Sequence, residues 1–320
     1  MDISMKGQLT VKFVEITSEH SDQRIDNYLF TLLKGVPKSR IYRIIRKGEI
    51  RINGSRIKPD YKLNEGDKIR IPPVRIAERE AFILPSKKLQ YSLEKNILYE
   101  DDALLVLNKP SGLAVHGGSG IKLGLIEALR LIRPKTDYFE LVHRIDRETS
   151  GCLIVAKKRS SLRYLQEQMR SKRISKVYRA LATGKWPRGM RRIDLPLMAF
   201  EQKTGEKIVR VNPKGKKSVT IFSVMKRYRN FTLLEALLET GRTHQIRVHA
   251  QHIGCPLAGD NKYGLDDINK DIRKSGLKRM FLHALKIGFS LPCGKNIFIE
   301  APMPSDLSEH LMELDCRDEP

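Results

Sequence analysis

Apolar residues change their spacing along this 320-residue chain, and each change predicts an element. Ile25, Leu29 and Leu32 recur at helical intervals behind Asp22, which is read as the N-cap. A second short helix follows, with Ile41, Ile44 and Ile45 inward, Ser39 as its cap and Gly48 where it should end. Ile50-Arg51-Ile52 then alternates as a strand does, and Asn53-Gly54 supplies a tight turn toward Ile57. Gly66-Asp67 leads into Lys68–Ile71, where Pro72-Pro73 stops the pairing. Residues 21–74 thus read as a small α+β unit, the core of a domain over 1–75. Residues 76–95 are rich in charge without sustained periodicity and are read as a linker. From 96 onward short apolar runs dominate, at 104–107, 152–156, 177–182, 219–224 and 231–238. They predict a second α+β domain over 96–320, a mixed and mainly antiparallel sheet with flanking helices, followed by an acidic, peripheral tail after Pro304.

Charge changes this picture from fold to partner. The chain holds 60 Lys+Arg against 37 Asp+Glu, a formal charge of +23. The excess is clustered: +8 within 34–62 and +12 within 157–192. Two dense basic clusters suit a polyanion, and nucleic acid is the first such partner to consider. The second predicted helix displays Lys38, Arg40, Arg43, Arg46 and Lys47 on its polar side. No run of apolar residues is long enough to span a membrane, and no apolar signal core opens the chain. Four scattered cysteines without a CxxC pair fit a reducing cytoplasm rather than a disulfide framework or zinc ribbon.

Candidate chemistry lies in three stretches. In Leu141-Val142-His143-Arg144-Ile145-Asp146-Arg147-Glu148-Thr149-Ser150-Gly151 an apolar strand leads into a polar loop, and 152–156 leads out. Asp146 is therefore held between two core strands, where a scaffold can aim it into a cleft. His143, Arg144 and Arg147 can all be cationic and would keep it ionised as nucleophile or base. The same pattern also suits a surface aspartate paired with Arg144 or Arg147. A kinase catalytic loop is excluded by Ile145, by Ser150-Gly151 where a metal-binding Asn should stand, and by the lack of a glycine-rich loop or Asp-Phe-Gly. Thr240-Gly241-Arg242-Thr243-His244-Gln245-Ile246-Arg247 turns after a strand and starts a helix with Thr243 as N-cap and Gly254 as its end. That helix would place His244, Arg247 and Gln251 on one face. His244, His249 and His252 lack HExxH spacing and a nearby carboxylate, so no metal site is expected. Lys176-Val177-Tyr178 sets an aromatic in a basic strand, as a stacked nucleobase or an ordinary sheet core would both accept.

Taken in order, Asn108-Lys109-Pro110-Ser111-Gly112, His143 to Gly151, Lys176-Val177-Tyr178, Gly241 to His249 and Phe281-Leu282-His283-Ala284 closely resemble the RluA-type pseudouridine synthases. Residues 21–74 resemble the S4 RNA-binding domain. Together the resemblances cover nearly the whole chain. The family block at His143 often carries leucine where Ile145 stands, a volume-conserving change. The resemblance implies a pseudouridine synthase fold that isomerises uridine to pseudouridine in RNA, without metal, nucleotide or other cofactor. Asp146 would be the essential aspartate, attacking the ribose or removing a sugar proton. Tyr178 would stack on the extruded uracil, Arg247 would pair with the carboxylate, and Arg144 would help hold the RNA; Lys176 and the basic helix are read from their charge as further RNA contacts. Large-subunit ribosomal RNA is the expected substrate and transfer RNA the alternative, for a monomeric cytoplasmic enzyme. A non-enzymatic RNA-binding or ribosome-assembly protein would explain the charge but not the coincidence of Asp146, Tyr178 and Arg247.

Overall fold

The structure, a computed structural model, describes residues 10–33, 35–74, 84–118, 121, 123–136, 138–202 and 207–318. It divides into two compact units, Met1–Ile83 and Leu84–Pro320. The first runs through β1 (Lys12–Glu15), α1 (Ile25–Leu32), α2 (Lys38–Arg46), β2 (Arg51–Ile52), β3 (Ser55–Arg56) and β4 (Lys68–Ile71). Its antiparallel sheet has the order β1-β4-β2-β3. Ile25, Leu29, Ile41, Ile44, Ile45, Ile50, Leu63 and Ile69 are removed from solvent as its core. Asn53 and Gly54 both have positive φ (50° and 81°), the geometry a two-residue hairpin turn requires.

Three expectations are corrected in this unit. α1 begins at Ile25 with Arg24 at the N-cap, because Asp26 inside the first turn, not Asp22, accepts the backbone N–H of Asn27. α2 begins at Lys38 behind Pro37, so Ser39 lies within the helix; Gly48 does stand just past its end with φ of 71°. β1 lies ahead of residue 21, in a segment whose mostly exposed Lys-Phe-Val-Glu gave little pattern.

The second unit opens with α3 (Lys87–Lys95), which corrects the reading of 76–95 as linker. Ser86 caps it by accepting the Leu89 N–H, and Leu89 and Leu93, one turn apart, meet the core. Residues 76–83 lie outside the described residues. There follow β5 (Ile97–Glu100), β6 (Leu104–Lys109), α4 (Leu125–Ile132), β7 (Glu140–Leu141), β8 (Ser150–Ala156), α5 (Arg159–Arg170) and β9 (Ser175–Thr183). Next come β10 (Arg192–Asp194), β11 (Leu197–Glu201), β12 (Lys207–Val211), β13 (Val219–Arg227), β14 (Phe231–Leu238) and α6 (Gln245–His252). α7 (Asp266–Lys274), β15 (Leu282–Ser290), β16 (Asn296–Glu300) and α8 (Ser305–Asp318) complete it.

The main sheet has the order β10-β13-β14-β9-β15-β8-β6-β5, with β16 on β15 and β7 on β8. All pairings are antiparallel except β15 with β8, so this is a mixed sheet of the α+β class. Every residue of β8 is buried, because both faces of the sheet are covered. Leu105, Leu107, Leu153 and Val155 meet α4 on one side, and Leu104, Val106, Ile154 and Ala156 meet α5 on the other. At the parallel seam Gly151 has φ of 110°, and a Cβ there would lie 2.2 Å from the Ala284 carbonyl oxygen. Only glycine permits that approach. The seam is locked by Ser150 Oγ and His283 Nδ1, 2.9 Å apart in the interior. The segment after Pro304 is not peripheral: α8 buries Leu307 and Leu314 against Leu181 and Phe281, following an apolar spacing of seven that returns to one helix face.

Candidate active site

Asp146 stands on the loop between β7 and β8, and its backbone is gripped from below. Lys109, fully buried at the end of β6, donates from Nζ to the carbonyls of Pro110 (2.9 Å), Leu113 (2.8 Å) and Arg147 (3.0 Å). Burial pulls its pKa down to about 7, while three carbonyls answer the three N–H bonds of the ammonium. Ser111 Oγ donates to the Glu148 carbonyl (2.7 Å) and the Gly112 N–H to that of Arg147 (2.9 Å). Above the loop opens a cleft of about 530 Å³ lined by Asp146, Thr149, Lys176, Tyr178 and Arg247 among others.

The partner of Asp146 comes from 101 residues away. Arg247 Nη1 donates to Asp146 Oδ2 at 3.0 Å. Its other edge is a fork on Asp260, with Nε to Oδ2 at 2.7 Å and Nη2 to Oδ1 at 2.8 Å. Burial alone would lower the Arg247 pKa, but Asp260 and Asp146 outweigh it and hold the guanidinium above its ordinary range. For Asp260 burial raises the pKa and the Arg247 fork, with backbone N–H groups of Lys262 and Tyr263, brings it below the usual carboxylate value. The helix carrying Arg247 is fixed by Gln245, which accepts from the Arg242 N–H and Thr240 Oγ1 and donates to Val219 O and Thr220 Oγ1. That arrangement displaces the predicted cap: α6 starts at Gln245, and His244 precedes it in the left-handed region (φ 55°), so Thr243 does not cap it. His244 is therefore not on the helix face. Its Nε2 faces Asp146 Oδ1 at 4.0 Å, and its Nδ1 meets the Tyr263 hydroxyl at 2.7 Å.

The local cations do not form the setting their sequence proximity suggested. His143 accepts the Ile154 N–H, and burial pushes its pKa down to about 3, so it is neutral. Arg147 turns to the Gly112 carbonyl and Glu148, and Arg144 is exposed at the cleft wall. Tyr178 is 7% exposed, part of the core and the cleft lining at once. Burial and then the Asp146 charge raise its pKa, so it is a neutral phenol. Lys176 is half-buried in the same cleft. Lys38, Arg43, Arg46 and Lys47 are exposed on α2 and Arg40 half-exposed, in the other unit. His249 is buried between Thr220 Oγ1 and the Leu195 carbonyl, and among the described residues no cluster of His, Cys, Asp or Glu could hold a metal.

Lys109, Asp260 and Tyr263 are the residues local pattern did not single out. Asp260-Asn261-Lys262-Tyr263-Gly264 has the composition of a surface turn, and only the third dimension makes it a buried support.

A model of the RNA pseudouridylate synthase family matches residues 103–252, and one of the S4 domain matches 23–69. Ribosomal large subunit pseudouridine synthase C of Haemophilus influenzae is 52% identical over 307 residues, 95% of each chain. The protein of that name from Escherichia coli K12 is 52% identical over 309 residues, 95% of this chain and 97% of that one. Among solved structures, human RNA pseudouridylate synthase domain containing 4 superposes with a TM-score of 0.59 at 25% identity, over 71% of this chain and 96% of that chain. The matched segment carries both Asp146 and Arg247, and identity extends along nearly the whole length: the chain belongs to the RNA pseudouridylate synthase family.

Proposed function

We propose that the protein isomerises uridines of large-subunit ribosomal RNA to pseudouridine, with Asp146 as the group that acts on the nucleotide. The reaction breaks the bond from ribose C1′ to uracil N1, joins C1′ to C5 of the same base, moves the C5 proton away and leaves a proton on N1. No net oxidation occurs and no atom is added, so an acid–base and nucleophilic site suffices. The observation that carries the reading is the carboxylate of Asp146, one-fifth exposed at the cleft floor and held by a buried arginine whose other edge is fixed. A carboxylate so oriented is preorganised to attack C1′ or to take a ribose proton. Tyr178 offers a ring for the extruded uracil to stack on, and Arg144 a cation at the opening. A base must leave its stack before its glycosidic bond can be reached, and the surrounding RNA contacts offset that few kcal/mol. Ribosomal RNA as the target is supported by the names of the 52% identical relatives.

The test is carbodiimide-adduct primer extension on large-subunit ribosomal RNA lacking pseudouridine, treated with wild type or Asp146→Asn. Isomerisation leaves the mass unchanged, so the adduct reveals it. Stops with wild type alone are expected and would also name the target uridines. Stops with the mutant would remove Asp146 from the reaction, and stops on transfer RNA only would move the substrate.

A further inference from the structure

Lys176 is a cation of the cleft to which the reaction above gives no task. Most of the other cations lining the cleft are exposed at its rim or tied to an acid: Arg170 to Glu167, and Arg247 to Asp146 and Asp260. Of the lining carboxylates, Glu239 is taken by Arg192. Lys176 differs from both groups. It is half-buried, and among the described residues it makes no hydrogen bond and no ion pair. Burial lowers its pKa with no carboxylate to restore it. Its Nζ lies against Gly241, where a Cβ would stand 3.3 Å away, so the bare glycine leaves the ammonium its room. A desolvated charge without a counter-ion destabilises the free protein. Such a residue is explained when the missing partner arrives with the ligand.

We propose that Lys176 is the subsite for the phosphate of the target nucleotide, completed only when RNA enters the cleft. This rests on the reading that the cleft accepts a uridine. Of the three parts of a nucleotide, uracil and ribose are neutral, and only the phosphate can be the counter-ion of a half-buried ammonium. The placement agrees: Lys176 and Tyr178 are two residues apart on β9 and share a face, about 7 Å from each other along the strand. That separation suits a base against the ring and the phosphate of the same nucleotide at the lysine. The exposed cations of α2 are offered to the backbone generally, whereas Lys176 would register one phosphate and thereby set how deeply the nucleotide enters.

The experiment uses the full-length protein and an RNA fragment containing one uridine that wild type isomerises. A single methylphosphonate replaces the phosphate 5′ or 3′ of that uridine, and Lys176→Met and Lys176→Arg are compared with wild type in single turnover. We expect Lys176→Met to lose about ten- to a hundredfold in rate on natural RNA, the range of one charge-assisted hydrogen bond. We expect wild type to lose the same factor with the methylphosphonate at one of the two positions, and Lys176→Met to lose nothing more there. Lys176→Arg should recover part of the rate. Thermal melting supplies a second readout: Lys176→Met should melt at or above the wild-type temperature, because it removes an uncompensated charge. Additive losses at both positions, or a lower melting temperature for Lys176→Met, would overturn the phosphate assignment and leave the proposed function standing. Failure of wild type to isomerise any uridine would instead overturn the function on which it rests.

Discussion

Replacing Asp260 by asparagine separates the carboxylate's charge from its shape. Asp260 is 1% exposed and accepts four hydrogen bonds: two from Arg247 (2.7 and 2.8 Å), one from the Lys262 N–H (2.9 Å) and one from the Tyr263 N–H (3.1 Å). An amide with its oxygen at Oδ1 keeps three of these, but its NH₂ then faces Arg247 Nε–H, donor against donor. Arg247, 8% exposed, is left with Asp146 as its one anionic partner. Breaking a buried pair by removing one charge destabilises by about 3–5 kcal/mol, and the three bonds the amide retains place Asp260→Asn toward the lower figure. For activity the quantity that matters is position. A guanidinium released from its fork by about 1 Å lowers the rate about a hundredfold when the reacting geometry depends on it. The assay is single turnover at enzyme concentrations saturating for RNA, with affinity measured separately and unfolding followed in urea. The expected outcome is a rate reduced about a hundredfold with RNA affinity within a few-fold, and a urea midpoint clearly lowered. A variant with wild-type rate and midpoint would refute the inference that Asp260 acts through Arg247 on Asp146.

Two further outcomes follow from groups described above. Lys109→Met deletes the donor to three buried carbonyls, each of which destabilises by about 1–3 kcal/mol when unmet; the variant should lose several kcal/mol in urea unfolding, and a loss below about 1 kcal/mol would show that those carbonyls find other donors. His143, His244 and His283 are held neutral by burial, with pKa values pushed down from 6.5 to about 3, 4 and 4. The unfolded chain therefore binds more protons than the folded one below pH 6.5, so stability should fall as pH drops from about 6.5 toward 4, by up to about 1.4 kcal/mol per pH unit for each histidine; a urea midpoint unchanged between pH 7 and pH 5 would refute this.

What the sequence disclosed and what it concealed divide along physical lines. β8 and β14 were legible because both are written as short, mainly apolar runs. α3 escaped because two leucines one turn apart among charged residues carry too little periodicity, and its start depends on a single serine. Asp146 was legible as a polar loop residue between core strands, but its setting was not. The neighbours in sequence pointed to Arg144 and Arg147, while the cation that reaches the carboxylate is Arg247, brought there by the closure of the sheet. Family resemblance supplied that pairing; local pattern could not, since nothing in spacing encodes a contact across 101 residues. Asp260 was concealed for the opposite reason, since a carboxylate in a glycine-flanked turn has the same local signature whether solvent or a guanidinium surrounds it.

The parallel seam between β8 and β15 also sets an order of birth. β15 is the last long strand of the sheet to be synthesised, yet it lies between β8 and β9, in the middle of the sheet. During translation the loop bearing Asp146 and the helix bearing Arg247 both emerge before the strand that joins their halves, with Asp146 ahead by on the order of ten seconds at ordinary elongation speeds. Until β15 is made, β8 and β9 lack the strand that hydrogen-bonds to both of them. The basic N-terminal unit, which has its own core, is complete long before. A growing polypeptide of this design therefore completes its small basic unit first, and only near the end the central strand that joins the β8 side of the sheet, next to Asp146, to the strand bearing Tyr178.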